Sequence, residues 1–385
     1  MPNINELDLA KELIKFPSIT PKDAGAINYL SKKLKTLGFN CKILEFKDKK
    51  SKPIKNLYAR LGKKQPNLCY AGHTDVVPPG NIKDWTVNPF KPKIKNKHLI
   101  GRGANDMKSS IACFVSAVNK FLKTNQKFKG SISLLITGDE EGFAINGTKK
   151  VVEYLRKKGE KINFCIVGEP TNPNRLGEMI KIGRRGSLTG KIEILGVQGH
   201  VAYPHLLNNP INTLMKICNK LKEKKLDRGN KNFQPSNLEF TRVYVDNKAH
   251  NVIPASAKAQ FNIRYNNFHT ANSLKKKINH VIRSLSKKNK CKFKVQYLAN
   301  GDSFLTKPNK TILMAQKIIK KITKVNPKFS TTGGTSDARF IKKISPCLEF
   351  GLVNKTMHKV DECVPVSDLK KLTNIYKDIL IEYFK

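Results

Sequence analysis

The sequence predicts an α/β protein: a domain with a mixed, largely parallel sheet sandwiched by helices, split by an inserted α+β domain. Three observations predict it. Strand-like and helix-like segments alternate between residues 40 and 168, as in a parallel sheet with crossover helices. Near residue 180 the texture changes to half-buried strands with helices between and after them. After about residue 297 the first texture returns. The chain has 385 residues, more than one core usually organises, so two domains are the default. The expected division is residues 1–181 and 297–385 for the split domain and residues 182–296 for the insert.

Each element follows from its pattern. "INELDLAKELIKF" and "DAGAINYLSKKLKTLG" carry apolar residues at helical spacing, and "NCKILEF" reads as a strand. "PNLCYAG", "GSISLLITG" and "NFCIVG" are short apolar runs bounded by Gly, Pro or Asn, which suit buried strands. "SSIACFVSAVNKFLKT" and "NGTKKVVEYLRKKG" alternate with them as helices. In the insert, "RGSLTGKIEILGV", "NLEFTRVYV" and "AKAQFNIRY" read as strands, with "NPINTLMKICNKLKEKK" and "TANSLKKKINHVIRSLSKK" as helices covering one face. The closing part gives helix "NKTILMAQKIIKKIT", strand "PCLEFGLV" and helix "VSDLKKLTNIYKDILIEYF".

The net charge is +44, from 73 basic and 29 acidic residues. Such a balance raises nucleic acid or an anionic membrane as a partner. Yet the lysines are spread along the chain, and runs such as "KDKKSKPIK" sit in polar or turn-like stretches. No basic patch interleaved with aromatics occurs, so the charge reads as a lysine-rich surface and nucleic acid is disfavoured. No run approaches the roughly 18 apolar residues of a membrane span, and "MPNINELDLAKELIKFPSIT" lacks the apolar block of a secretory signal. The eight cysteines include no CxxC pair, which suits reduced thiols in the cytoplasm.

In α/β sheets, reactive groups gather at the carboxyl edge of the strands. Five segments here end on metal-ligand side chains: "GHTD" with His73 and Asp75, "GRGANDMK" with Asp106, "TGDEEG" with Glu140 and Glu141, "GEPT" with Glu169, and "EFGLVNKTMH" with His358. All are expected to terminate strands of one sheet. In so basic a chain, acids repeated at strand ends call for an explanation. Two histidines and three carboxylates can hold two divalent ions if one carboxylate bridges, and these donors suit zinc, cobalt or manganese. Residues i and i+2 of an extended chain face one side, so Asp75 is expected to reach the far nitrogen of His73 and fix its tautomer. Of the adjacent glutamates, one can take a metal and the other a water proton. "GRGAND" lacks the third glycine of a dinucleotide loop, "TTGGTSDARF" lacks a P-loop's GK[ST], and no HExxH or G-x-S-x-G occurs.

Taken in order, "GHTDVVP", "GRGANDMK", "TGDEEG", "GEPT", "QGHVAYPH", "NVIP", "TTGGTSDARF" and "NKTMHKVDECV" resemble the di-zinc metallohydrolase family that includes aminoacylases, acetylornithine deacetylases and desuccinylases. The resemblance spans nearly the whole chain, and "RRGS", "TTGGTSDARF" and "NKTMHKVDECV" resemble the desuccinylase branch. It implies two Zn2+ ions, replaceable by Co2+ or Mn2+. His73 and Glu169 would hold one ion, Glu141 and His358 the other, and Asp106 would bridge them, followed by a cis peptide bond. Glu140 would be the general base and acid, with Asp75, beside His73, also counted among the catalytic residues. The insert would be a lid and dimerisation domain, making the enzyme a homodimer in which His200 reaches the other subunit's site to stabilise the oxyanion. Arg184, Ser187, Tyr203, Asn251, Arg264, Gly334, Thr335 and Asn354 would contact a small anionic substrate, N-succinyl-LL-2,6-diaminopimelate. An acetylornithine deacetylase-like or other N-acyl amino acid hydrolase is the near alternative. A basic nucleic-acid-binding protein on a hydrolase scaffold is the distant one. Asn105 and the serines of "DMKSS" replace small residues often found beside the bridging aspartate.

Overall fold

The computed structural model describes residues 3–48, 52–223 and 225–385. Residues 49–51 of the basic run "KDKKSKPIK", Lys224 of the helix "NPINTLMKICNKLKEKK" and the first two residues lie outside it. The chain forms two compact units. One comprises Met1–Ile182, Thr306–Ser330 and Ser336–Lys385, and the other Gly183–Leu305 with Thr331–Thr335.

The first unit is built on an eight-stranded mixed sheet. Its strand order is Asn40–Phe46, Ile54–Leu61, Ser131–Thr137, Asn67–His73, Phe164–Val167, Cys347–Glu349, Met179–Lys181, Lys328–Ser330. The four strands from Ser131–Thr137 to Cys347–Glu349 are mutually parallel; Ile54–Leu61 runs antiparallel to them, and Asn40–Phe46 pairs antiparallel with Ile54–Leu61. Every residue of Asn67–His73 and Ser131–Thr137 is buried, so these strands are covered on both faces. The helix Lys108–Thr124 explains one cover. It is buried almost all round, its small serines included, and packs against Glu6–Ile14, Val366–Tyr383 and the His73 strand. Ala26–Thr36 and Thr148–Lys157 pack elsewhere on the sheet, over Ile54–Leu61. A separate three-stranded sheet, ordered Cys363–Pro365, His98–Ile100, Lys93–Lys95, joins segments far apart in the chain.

The second unit has a four-stranded antiparallel sheet, ordered Asn237–Tyr244, Ser256–Tyr265, Gly186–Leu195, Lys292–Ala299. Pro210–Glu223 and Ala271–Lys288 bury their apolar stripes against it. Leu214, Ile217, Leu274, Ile278 and Ile282 meet Ile192, Ile194, Phe261 and Ile263.

The strands Ile54–Leu61, Met179–Lys181, Lys292–Ala299 and Lys328–Ser330 add to the elements expected from the sequence. Lysines or arginines interrupt or border all four runs, and two of them are only three residues long. In "KFKVQYLA" the half-buried Phe293, Val295 and Tyr297 alternate with exposed positions and pack on the core. The chain leaves this unit after Leu305, not at residue 297, because Phe304–Leu305 pairs with Gly183–Arg184.

Candidate active site

Parallel register sets the site. His73 ends its strand level with Thr137, and Ala71 lies level with Val167. The loops that leave these strands carry Glu140, Glu141 and Glu169 to one edge, where loops of open α/β sheets gather their ligands. Asp106 and His358 arrive differently, and the expectation that both end strands of this sheet is corrected. Asp106 lies in a turn just before helix Lys108–Thr124. The strand before His358 stops at Glu349, and His358 follows in a run of turns. The small sheet unites them, because Cys363–Pro365 pairs with His98–Ile100 and brings the loops on either side together.

The resulting geometry is specific. His73 Nε2 lies 3.1 Å from Asp106 Oδ1 and 3.8 Å from Glu169 Oε1. His358 Nε2 lies 3.2 Å from Asp106 Oδ2 and 2.8 Å from Glu141 Oε1. Each oxygen of Asp106 thus faces a different histidine, and each histidine has its own glutamate. Ligand atoms of His73, Asp106 and Glu141 lie within 4.8 Å of one another, as do those of His73, Glu140 and Glu169. His358 sits in the left-handed region at φ 62°. Its turn is closed by Thr356, whose hydroxyl donates to the Cys363 carbonyl at 2.8 Å. The Asp106–Met107 peptide bond is cis, as expected.

Asp75 behaves otherwise than its spacing suggests. His73 Nδ1 donates to the backbone carbonyl of Asp75 at 2.9 Å, while the Asp75 carboxylate is 3.6 Å away. The carboxylate instead accepts the backbone N–H groups of Glu140 at 3.2 Å and Glu141 at 3.0 Å. The Asp75 backbone carbonyl thus fixes the His73 tautomer, and the Asp75 carboxylate pins the loop carrying both glutamates.

Proton affinities follow from burial and neighbours. Burial opposes charge on His73, but the hydrogen bond to Asp106 and the charges of Glu169, Asp106 and Asp75 outweigh it, raising its pKa well above the usual range. The hydrogen bonds to Asp106 and Glu141 raise His358 to about 10. Burial works against the Asp106 charge, yet hydrogen bonds from His358 and His73 hold it well below the usual carboxylate range. Burial pushes Asp75 up to about 7 against the pull of His73. Burial, then the charge of Glu169, pushes Glu140 well above the usual range. A close group of carboxylates with two imidazoles is the donor set of a divalent cation site.

Other expected residues lie as follows. Asn354 is half-buried in the first unit, and its N–H donates to Asn172. In the second unit Ser187 and Arg264 are register partners, and Arg184 is buried with Nη1 donating to the Thr332 carbonyl at 3.2 Å. Gly334 is exposed and Thr335 half-buried. Tyr203 is exposed, and the Asn251 carbonyl accepts from Val201 N. His200 is exposed, with Nδ1 accepting from Ala202 N. Asn105 reaches across to the Val353 carbonyl, and Ser110 joins a buried chain from Tyr70 to Tyr376. Two buried residues were absent from the expected set: Arg102 and Glu362, an ion pair at 2.7 Å beside the Asp106 turn. The signal for Glu362 was an acid four residues after His358, next to the apolar Cys363-Val364.

Residues 69–382 match the family described as Peptidase family M20/M25/M40. The chain belongs to this family and is a metal-dependent hydrolase. It is 67% identical over 384 residues to a succinyl-diaminopimelate desuccinylase of Pelagibacter ubique, covering 100% of both chains. Among solved structures it resembles aminopeptidase PepT from Bacillus cereus, at TM-score 0.79 and 19% identity over 100% of both chains. It also resembles YXEP of Bacillus subtilis, a dinuclear metal-binding peptidase, at TM-score 0.73 and 14% identity over 98% and 97% of the two chains. Among the described residues, no helix is long and apolar enough to cross a membrane.

Proposed function

We infer that this chain cleaves N-succinyl-LL-2,6-diaminopimelate to succinate and LL-2,6-diaminopimelate, a step of diaminopimelate and lysine biosynthesis, at a site holding two zinc ions. The observation that carries the reading is Asp106, whose two oxygens face two separate histidine–glutamate pairs. His73 and Glu169 are assigned one ion, Glu141 and His358 the other, with Asp106 shared. Cobalt or manganese could replace zinc at such donors. The dinuclear peptidase of similar fold supports the count, and the desuccinylase relative supports the acyl group.

Bound ions would polarise the scissile carbonyl and acidify the attacking water. Glu140 takes the water proton and returns it to the leaving amine, a task that suits a carboxyl whose proton affinity burial has raised. Asp75 holds the backbone from which Glu140 and Glu141 project. The substrate carries three carboxylates. Arg184 and Arg264 offer planar forks that fit them, with Ser187, Tyr203, Asn251, Gly334, Thr335 and Asn354 as further contacts. His200 is assigned to the oxyanion of a neighbouring subunit.

Met1–Ile182 with Thr306–Ser330 and Ser336–Lys385 act in this reading as the catalytic domain, and Gly183–Leu305 with Thr331–Thr335 as the lid and dimerisation domain. A homodimer is supported by the edge strand Asn237–Tyr244, which ends on exposed Val243 and Tyr244. An edge of this kind can be extended by a second copy. The eight cysteines, all free, suit a reducing cytoplasm.

The test is a side-by-side assay of the zinc-loaded chain on N-succinyl-diaminopimelate and N-acetylornithine. Rapid succinate release with little acetate release is expected. The reverse ranking would reassign the acyl group and leave the metal chemistry in place.

A further inference from the structure

Glu362 is fully buried, and both its carboxylate oxygens are engaged. Oε1 accepts the backbone N–H groups of Asn105 at 2.7 Å and Asp106 at 2.9 Å. Oε2 accepts Gly103 N at 3.1 Å and Arg102 Nη1 at 2.7 Å. Three backbone donors of the turn, those of Gly103, Asn105 and Asp106, therefore close on one side chain. The backbone of Glu362 adds a further tie, because its carbonyl accepts Gly101 N at 2.9 Å. Arg102 extends the connection. Its Nη2 faces the Pro78 carbonyl at 3.3 Å and, more loosely, the His358 carbonyl at 3.5 Å, and its guanidinium lies 5.1 Å from the Trp85 ring centroid.

We propose that Glu362 and Arg102 are positioning residues for the metal centre, setting the spacing between the two histidine–glutamate pairs by clamping the Asp106 turn to the segments that follow His73 and carry His358. Neither side chain touches a ligand atom. Asp106 must present one oxygen to each side, and its own N–H is held by Glu362. His358 reaches Asp106 from a separate loop whose carbonyl faces Arg102. Fixing both to one buried ion pair removes the freedom of the two loops to part. Breaking one partner leaves a buried charge uncompensated, and partners of metal ligands typically tune affinity by about 10–100-fold.

The proposal rests on the two-ion reading above, and the test separates the two. Chelator-stripped wild type, Glu362→Gln and Arg102→Lys are titrated with Zn2+ by calorimetry and with Co2+ by visible absorption. Thermal unfolding without metal and kcat and KM with metal are measured alongside. Wild type is expected to bind two ions. Both variants should bind at least one of them about 10–100-fold more weakly, with an altered cobalt spectrum. Their kcat should fall while KM stays within about twofold. Arg102→Lys keeps the charge and loses the fork, so it remains informative if Glu362→Gln does not fold. Two ions at wild-type affinity with an unchanged cobalt spectrum overturn the proposal, as does a fall in melting temperature alone. A wild type that binds fewer than two ions overturns the two-ion reading, and this proposal with it.

Discussion

The Asp75 carboxyl group accepts from the backbone of both glutamates that follow the Ser131–Thr137 strand, so its two oxygens decide where two reactive side chains stand. Asp75→Asn keeps the shape but turns an N–H donor toward donors already present. We expect kcat to fall about 10–100-fold, in the range seen when partners of site residues are removed; steady-state kinetics of the zinc-loaded variant checks it. Glu140→Gln is the sharper case. It should keep both ions, by metal analysis, and lose about 10²–10⁴-fold in kcat, the usual contribution of a positioned proton carrier. A variant with full activity would remove Glu140 from its role. At this scale the sequence was informative about residue types and less so about pairing. The i, i+2 rule put Asp75 beside His73 correctly. It could not anticipate that the Asp75 carbonyl would take the imidazole N–H and free the carboxylate for a loop sixty-odd positions away.

Among the elements, three neighbouring parallel strands did most to make the site legible. Each apolar run ended close to its ligand, so His73, Glu140, Glu141 and Glu169 could be found by reading strand ends. Asp106 and His358 were found as motifs, but their route to the site was hidden. It depends on pairing between three-residue strands, which leave too short a pattern to read. Two predictions belong here. In Gly351→Ala the added carbon would lie 2.4 Å from the Gly168 carbonyl oxygen and 2.5 Å from that of Glu169, both backbone atoms that cannot rotate away. It should lower stability by about 1–3 kcal/mol and weaken metal binding through Glu169, whereas Gly334→Ala, with nothing within 4 Å, should leave stability unchanged; denaturant melts of both variants decide. Lys108 is fully buried at the start of its helix, where Nζ donates to the Phe16 carbonyl at 2.7 Å. Burial lowers its pKa from 10.5 to about 7, against the pull of Glu362 and Asp75. Between those values the unfolded chain binds the extra proton, so the Lys108 contribution makes stability rise with pH from about 7 toward 10.5. Lys108→Met should flatten that rise in melts of the metal-free protein.

For the whole molecule, charge is the dominant bulk property, at +44 over 385 residues. A positive field speeds the capture of anionic substrates and is screened by salt. We therefore expect kcat/KM on the succinylated substrate to fall as ionic strength rises while kcat holds nearly constant, which initial-rate assays over a salt series will check. Salt-sensitive binding to random DNA without metal-dependent hydrolysis would instead favour the basic-scaffold alternative. The change of texture near residue 180 was legible because amphipathic strands replace apolar ones. The return was harder to place, because "KFKVQYLA" is rich in polar residues yet still belongs to the second unit's sheet. The account as a whole depends on Asp106 being shared, and anomalous diffraction from crystals grown with excess zinc tests that most directly. Two peaks about 3.5–4 Å apart are expected, one beside His73 and Glu169, the other beside Glu141 and His358, with an Asp106 oxygen on each. A single peak, or peaks that leave Asp106 without a metal, would contradict it.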